Sequence, residues 1–202
     1  NARNGGKVVY VRGSMGDGQR LEALVQALVG QPCWSAVAGD ADDYALVLDF
    51  GDRQRRSLRL ANPELSFLQR TYEGSHSVLV ECPWRIDAPF GVAVSCFDAR
   101  REDGKAKDAL DRLLGREVVA VEAAWPGHDL TVRFTDGWAV RAFCIEVDEK
   151  SGRKNWYCWT PDGLGVVGPR SRVELSTSAE ARKAFERLRL APFEGFDPGD
   201  EE

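Results

Sequence analysis

Apolar and polar residues alternate along several short stretches of the chain, and this alternation predicts β-strands. The stretch LTVRF (130–134) places Leu, Val and Phe on one face and Thr and Arg on the other. The Asp136-Gly137 pair then signals a turn, and the alternation resumes in WAVRA (138–142). A half-buried β-hairpin is therefore predicted for this part of the chain.

Segments with helical spacing precede the strand patterns at two places. Apolar residues recur every three or four positions in 21–29 and again in 106–114. Asp17 is expected to cap the amide groups at the start of the first helix. Gly30 and Gly115 are expected to take the left-handed conformation that follows each helix.

The two helix patterns open two segments that resemble each other, 28–52 and 113–137. Each passes through a glycine and a strand-like segment into an alternating strand that ends in Phe-x-Asp, with one extra residue in the first segment. We interpret them as two copies of one helix-plus-strands unit, an internal repeat. The resemblance continues more weakly in two further pairs, 57–61 with 141–145 and 77–83 with 155–161.

The predicted fold is α+β with mostly antiparallel sheet, in which two related units pack as one compact body and a C-terminal helix follows. Thr177 and Glu180 form a capping box at the start of that helix. The predicted divisions are 1–16, a leader or edge strand that is partly tag-derived; 17–97, the first unit; 98–105, a connector; 106–175, the second unit; 177–190, the C-terminal helix; and 191–202, an acidic tail.

Composition places the chain among globular proteins, with 43% hydrophobic and 29% charged residues. The net charge of −5 equals the five acidic residues of the tail, so the body is neutral. No apolar run is long enough to span a bilayer, which predicts no membrane association. The five cysteines form no CxxC pair and are expected to be reduced thiols, which favours a cytoplasmic location.

Motifs for cofactors, metals and catalysis are incomplete. The glycines in GSMGDG (13–18) lack the lysine and hydroxyl residue of a phosphate-binding loop, so no cofactor is predicted. His76 and His128 are the two histidines, too few for a local zinc site, and no metal is predicted. Neighbours along a strand face opposite sides, which argues against catalytic pairs in Ser75-His76-Ser77 and His128-Asp129. A non-enzymatic protein is predicted, with a site assembled through space left open.

Aromatic residues beside a basic loop form the candidate partner-binding surface. The aromatic and basic residues of this surface are Trp156, Tyr157, Trp159, Lys150, Arg153 and Lys154. Exposed rings there would stack on a partner, whereas the alternative is that the tryptophans fill the sheet cores. The neutral body argues against nucleic acid as the partner.

The segment GREVVAVEAAWPGHDLTVRFTDGWAVRAF (115–143) resembles a pattern in small bacterial β-rich proteins of the immunity type. The resemblance implies a protein that binds and blocks a cognate toxin without catalysis, and no functional residue is carried over from it. The neutral body differs from the strongly acidic surface of many nuclease inhibitors. We therefore expect a cytoplasmic bacterial binding protein with another protein as its partner; the alternative is a small-ligand or carbohydrate-binding module with a Trp-lined pocket between the units.

Overall fold

The computed structural model describes residues 15–39, 44–56, 65–98 and 104–177, together with positions 179, 183 and 185. Within these ranges the helices are α1 (Met15–Gln26), α2 (Phe67–Thr71) and α3 (Lys105–Asp111). The strands are β1 (Cys33–Ala38), β2 (Leu46–Arg55), β3 (Tyr72–Val80), β4 (Trp84–Ala88), β5 (Gly91–Ser95), β6 (Val118–Ala124), β7 (Asp129–Phe134), β8 (Ala139–Ala142), β9 (Trp156–Thr160), β10 (Gly163–Val167) and β11 (Val173–Ser176).

The strands form two sheets, and every described strand pair is antiparallel. Sheet A has six strands in the order β1-β2-β3-β9-β10-β11, and sheet B has five in the order β5-β4-β8-β7-β6. The predicted mostly antiparallel, β-rich α+β fold is confirmed. The predicted hairpin over 130–142 is confirmed as β7 and β8.

The main core lies between the inner faces of the two sheets. Alternation along each strand sends every second side chain into this layer, so that Leu48 and Phe50 of sheet A and Val132 and Phe134 of sheet B are buried. The rings of Phe50 and Phe134 stack across the layer with their centroids 6.2 Å apart.

Helices α1 and α3 complete this core from opposite sides. The apolar stripe of α1, which includes Leu21 and Val25, is fully buried and packs against β6 of sheet B and β9, β10 and β11 of sheet A. Helix α3 packs against β1 of sheet A and β5 of sheet B. The prediction that Asp17 caps α1 is wrong, since α1 begins at Met15 and Asp17 lies inside its first turn. There its carboxylate faces the positive end of the helix dipole.

The chain segments that follow α1 and α3 lie side by side. Gly30 N–H donates to the carbonyl of Val118 at 2.8 Å, and Gly115 N–H donates to the carbonyl of Cys33 at 2.6 Å. Cys33 N–H bonds Arg116 O at 2.9 Å, and Val118 N–H bonds Gln31 O at 3.1 Å. The predicted left-handed conformation is confirmed for both glycines, with φ of 82° and 79°. These bonds join the two sheets at their β1 and β6 edges.

Each predicted unit contributes strands to both sheets. The chain leaves sheet A after β3 and enters sheet B with β4, whereas it leaves sheet B after β8 and returns to sheet A with β9. Segments 77–83 and 155–161, aligned with each other in the sequence, contain strands that pair directly, since Val80 is opposite Trp156.

Several predicted elements fall wholly or partly outside the described residues. Residues 1–14, the segment 57–61 and the acidic tail 191–202 lie wholly outside them, as do 99–103 of the connector and most of 177–190, including Glu180 of the predicted capping box. Positions 179, 183 and 185 are helical, and Phe185 is buried. No described helix has the length and apolar character needed to cross a membrane.

Candidate functional site

The aromatic residues of the predicted partner surface lie on β9, an interior strand of sheet A. Trp156 points into the main core and is fully buried, and Tyr157 is buried on the other face. Burial, and then the charge of Glu81, raise the pKa of the Tyr157 hydroxyl. Trp159 is half-buried and stacks on Phe185. The expected exposure of Trp156 and Tyr157 is therefore wrong, because β9 is covered on both faces.

The basic residues of the predicted surface lie in the loop before β9. Lys150 and Arg153 are exposed, whereas Lys154 is half-buried and places Nζ 3.4 Å from a carboxylate oxygen of Glu174. The loop and β9 meet at Glu81, whose Oε2 accepts from Lys154 N–H at 3.1 Å and lies 3.5 Å from the Tyr157 hydroxyl. The structure thus does not join these cations and rings in one exposed patch.

Ser75 and His76 make a direct side-chain contact, contrary to the expectation that strand neighbours diverge. Ser75 Oγ lies 2.9 Å from His76 Nδ1 and accepts from Asp52 N–H at 3.1 Å. The irregular register of β2 between Phe50 and Arg53 explains this, because the ladder is interrupted beside the pair.

The chemistry open to this pair is proton transfer from the hydroxyl to the ring. Burial lowers the pKa of His76, which keeps the imidazole neutral and able to accept a proton, although the charges of Asp162 and Asp52 oppose the shift. Both residues are only 8% exposed, however, and a Cβ atom on Gly51 would lie 2.6 Å from Ser75 Oγ. This close packing favours a buried structural hydrogen bond.

His128 and Asp129 make separate contacts, as predicted. The His128 ring is buried against Trp125, with centroids 5.5 Å apart, and Asp129 Oδ1 accepts from Cys144 N–H at 2.7 Å. Burial lowers the pKa of His128, a shift that the Ala123 carbonyl and Glu22 oppose. Within the described ranges, no three His, Cys, Asp or Glu side chains are grouped to hold a metal ion.

A groove of about 330 Å³ lies between α1 and the β10–β11 hairpin. Arg20 and Asp162 contribute its charged groups, and Leu24, Leu164 and Leu175 contribute apolar walls. The described residues that line this groove include no tryptophan, so it differs from the Trp-lined pocket considered from the sequence.

The outer face of sheet B presents three arginines side by side, and we call it the arginine face. It comprises Arg85, Asp87, Arg133, Arg141 and Phe143. Strand register places Arg85 of β4 opposite Arg141 of β8, while Arg133 of β7 is opposite Ala139. Alternation turns these side chains away from the core, because Ile86, Val132 and Val140 between them point inward.

A single carboxylate, that of Asp87, forms ion pairs with two of these arginines. Asp87 Oδ1 lies 2.9 Å from Arg85 Nε, and Asp87 Oδ2 accepts from Arg141 Nε at 2.6 Å. The guanidinium of Arg85 also lies 5.4 Å from the Phe143 ring centroid. Exposure is 40% for the Arg85 side chain and 31% for that of Arg141. Arg133 is exposed and makes no ion pair with a described residue.

Exposed apolar side chains border the arginine face. Trp125, in the turn after β6, is 77% exposed, and Ile145, two residues after Phe143, is 64% exposed. The turn and the Phe143 segment are held together at Cys144, whose Sγ donates to His128 O at 3.2 Å. An exposed tryptophan and an exposed isoleucine therefore lie near the Phe143 end of the arginine face, and tryptophan and arginine are both enriched among the residues that dominate interface binding energy.

Sequence reasoning placed Arg133 on the polar face of its strand but did not assemble the arginine face. The local signal was present in WRID, LTVRF and AVRA, where arginine alternates with core residues. Strand pairing was needed to bring the three together, and β4 and β8 come from distant parts of the chain.

Comparison of the chain with protein-family models, curated proteins and solved structures gave no match.

Proposed function

We propose that this chain is a non-enzymatic binding protein whose arginine face holds a protein partner with surface carboxylates. The observation that carries the proposal is the cluster of Arg85, Arg141 and Arg133 on an open sheet face, with Asp87 shared by two of them. The rows of Arg85 and Arg133 contain three arginines and two acidic residues, Asp87 and Glu122, whereas Asp129 lies opposite Phe143 at the end of the face. Guanidinium groups bind carboxylates in a planar two-bonded geometry, which gives the partner a defined orientation.

The contrast between the two sheets supports this assignment. On sheet A, the corresponding outer face is largely buried: Leu79, Tyr157 and Leu164 pack there with Leu65 and Phe185, beside a buried polar cluster around Asp49. On sheet B, charged side chains occupy the outer positions and remain partly exposed. One sheet thus uses its outer face for folding, and we assign the other to recognition.

We also propose that the chain consists of two copies of one α-β-β-β-β-β unit. The reciprocal backbone bonds between 30–33 and 115–118 support this, as does the similarity of WRIDAPFG (84–91) to WYCWTPDG (156–163). This alignment matches β4 with β9 and replaces the weak sequence match of 77–83 with 155–161. Gly91 and Gly163 occupy the same place in these hairpins and have φ of 146° and 145°. In this alignment Arg85 corresponds to Tyr157. The equivalent position is therefore exposed to solvent in one copy and buried in the other.

The specific role that we propose is neutralisation of a bacterial toxin in the cytoplasm. The pattern over 115–143 supports it through its resemblance to immunity-type proteins. A toxin bound by this face would carry acidic groups around the contact, unlike the basic nucleases that acidic inhibitors bind. The five cysteines are free thiols, four of them buried, which fits a reducing compartment. We also propose that the C-terminal region forms a helix that is held against sheet A by the buried Phe185.

The test compares three baits in capture from a lysate of the source organism. They are the wild-type chain, Arg133→Glu, and a control in which two exposed residues, Lys107 of α3 and Arg112 just after it, are changed to Glu. We expect the wild type and the control to retain the same protein, released by salt, and Arg133→Glu to lose it. Retention by Arg133→Glu, or selective recovery of nucleic acid, contradicts the proposal.

A second variant guards against an effect on folding. Changing Arg85 and Arg141 to Gln removes both charges while keeping much of each side-chain stem, and its melting temperature is measured beside its binding. Loss of the partner with an unchanged melting temperature supports recognition by the arginine face. Unchanged binding by this folded variant contradicts it.

A further inference from the structure

Cys82 and Cys144 lie opposite each other where β4 and β8 begin to diverge. In this antiparallel pair Trp84 is opposite Ala142, and Phe143 N–H donates to Pro83 O at 2.8 Å. One residue beyond Pro83 and Phe143, the same register places Cys82 opposite Cys144. The two cysteines are 62 positions apart in the sequence, yet strand pairing makes them neighbours.

The kind of pair matters for the distance between the side chains. Antiparallel ladders alternate hydrogen-bonded and non-hydrogen-bonded pairs, and the bond at Pro83–Phe143 makes Cys82–Cys144 a non-hydrogen-bonded pair. In such pairs the Cα atoms are about 4.5 Å apart, which is within the range of about 4.4–6.8 Å that a disulfide requires. Contact with the Cys144 thiol, followed by burial, raises the pKa of Cys82, which agrees with adjacent sulfur atoms.

The two thiols differ in access to solvent. Cys82 is buried, whereas Cys144 is partly exposed and its Sγ is held by the His128 carbonyl. An oxidant would therefore reach Cys144 first, and Cys82 would be in position to react next. The remaining cysteines, Cys33, Cys96 and Cys158, are all buried.

We propose that Cys82 and Cys144 form a reversible disulfide when the protein meets a peroxide. Hydrogen peroxide oxidises the Cys144 thiol to a sulfenic acid, with transfer of one oxygen atom and release of one water. The Cys82 sulfur then attacks the Cys144 sulfur: the S–S bond forms, the S–O bond breaks, and the sulfenic hydroxyl leaves with the Cys82 thiol proton as a second water. A dithiol reductant reverses the reaction by thiol–disulfide exchange.

The bond would link β4 to β8 and close a loop of more than 60 residues. A cross-link of this length restricts the unfolded chain, so the oxidised protein should melt at a temperature higher by on the order of 10 °C. Reduction should return the melting temperature to its starting value.

The test treats the whole chain with hydrogen peroxide, alkylates the remaining thiols and digests the protein for mass spectrometry. We expect a cross-linked peptide pair containing Cys82 and Cys144, and its disappearance after dithiothreitol treatment. Cys144→Ser should abolish the cross-link, whereas Cys96→Ala should retain it. Cys144 recovered as the sulfinic acid or as an unmodified thiol in the wild-type chain overturns the proposal, and this readout does not depend on any variant folding.

Discussion

Trp84 and Trp156 make the same hydrogen bond in opposite sheets. Trp84 Nε1–H donates to the carbonyl of Tyr44 at 2.7 Å, and Trp156 Nε1–H donates to the carbonyl of His128 at 2.8 Å. Each acceptor lies just before a strand, β2 in one sheet and β7 in the other. Both indoles are buried in the core between the sheets, so each ties the start of one strand to a strand of the opposite sheet that comes from the same half of the chain.

This symmetry predicts similar costs for the two tryptophan-to-phenylalanine changes. Phenylalanine keeps most of the apolar contact but removes the donor, so we expect Trp84→Phe and Trp156→Phe each to lower the free energy of unfolding by about 1–3 kcal/mol. Urea denaturation measures the change. Trp125→Phe is the control, because Trp125 is largely exposed and should change stability by less than about 0.5 kcal/mol. Costs that differ severalfold between Trp84 and Trp156 would contradict equivalent roles.

Local patterns were enough to predict several of the strands, but not β10 or β11 and not which strands are neighbours. Alternation correctly identified β7 and β8 because each has one face in the core. The same rule left Trp156 and Tyr157 unresolved, since alternating faces do not reveal whether a strand is at an edge or between two others. In the structure β9 lies between β3 and β10, and both of its faces are covered.

The Ser75–His76 contact was missed for a related reason. A regular strand turns successive side chains to opposite faces, and the rule fails where the ladder is irregular, as it is between Phe50 and Arg53. Such an irregularity depends on the partner strand and leaves little signal in the sequence of β3 itself. The arginine face was missed because it needs the pairing of β4 with β8, which is a long-range contact.

Gly91 and Gly163 provide a matched pair for testing backbone strain against steric contact. Both have φ near 145°, a conformation that L-residues rarely adopt, so alanine should be strained at either position. A Cβ atom at Gly163 would also lie 2.7 Å from the carbonyl oxygen of Ser176, whereas no described atom lies within 4 Å of that position at Gly91. We expect Gly91→Ala to cost about 1–3 kcal/mol and Gly163→Ala to cost clearly more. Equal losses in urea denaturation would show that the contact with β11 is relieved.

The stability of the fold should fall as the pH is lowered through the histidine range. Burial lowers the pKa of both His76 and His128 below the ordinary value of 6.5, so the unfolded chain binds protons that the folded chain does not. Their contribution is therefore complete well above pH 6.5 and is lost below it. Each histidine adds a slope of at most about 1.4 kcal/mol per pH unit.

Urea denaturation between about pH 7.5 and 5.5 measures this slope, since carboxylates titrate mostly below that range. His76 and His128 are the two histidines of the chain, so changing both to Gln should flatten the dependence. A slope that persists in a folded double variant would assign the pH dependence to other groups. A wild-type stability that rises on acidification would mean that folding raises the histidine pKa values instead of lowering them.

Asp49 anchors a buried polar cluster on the outer side of sheet A. Its side chain is almost fully buried, and Oδ1 accepts from Ser77 Oγ at 2.6 Å and from Gly74 N–H at 3.2 Å. Arg56 lies near the same carboxylate, at 3.8 Å, and near Glu73 at 3.6 Å. Arg56 thus lies between two buried carboxylates, and all of these groups depend on one another to stay in a site without bulk water.

Removing Asp49 should therefore cost far more than removing an exposed carboxylate. In Asp49→Ala, Ser77 and Gly74 lose their shared acceptor and Arg56 loses a buried carboxylate neighbour, so we expect a loss of about 3–5 kcal/mol in the free energy of unfolding. Asp111→Ala breaks an exposed pair with Lys107 and should cost less than about 0.5 kcal/mol. Asp49→Asn keeps one oxygen acceptor and should fall between them. If Asp49→Ala matches Asp111→Ala in urea denaturation, the cluster does not contribute to stability, because its groups then find water or other partners at no cost.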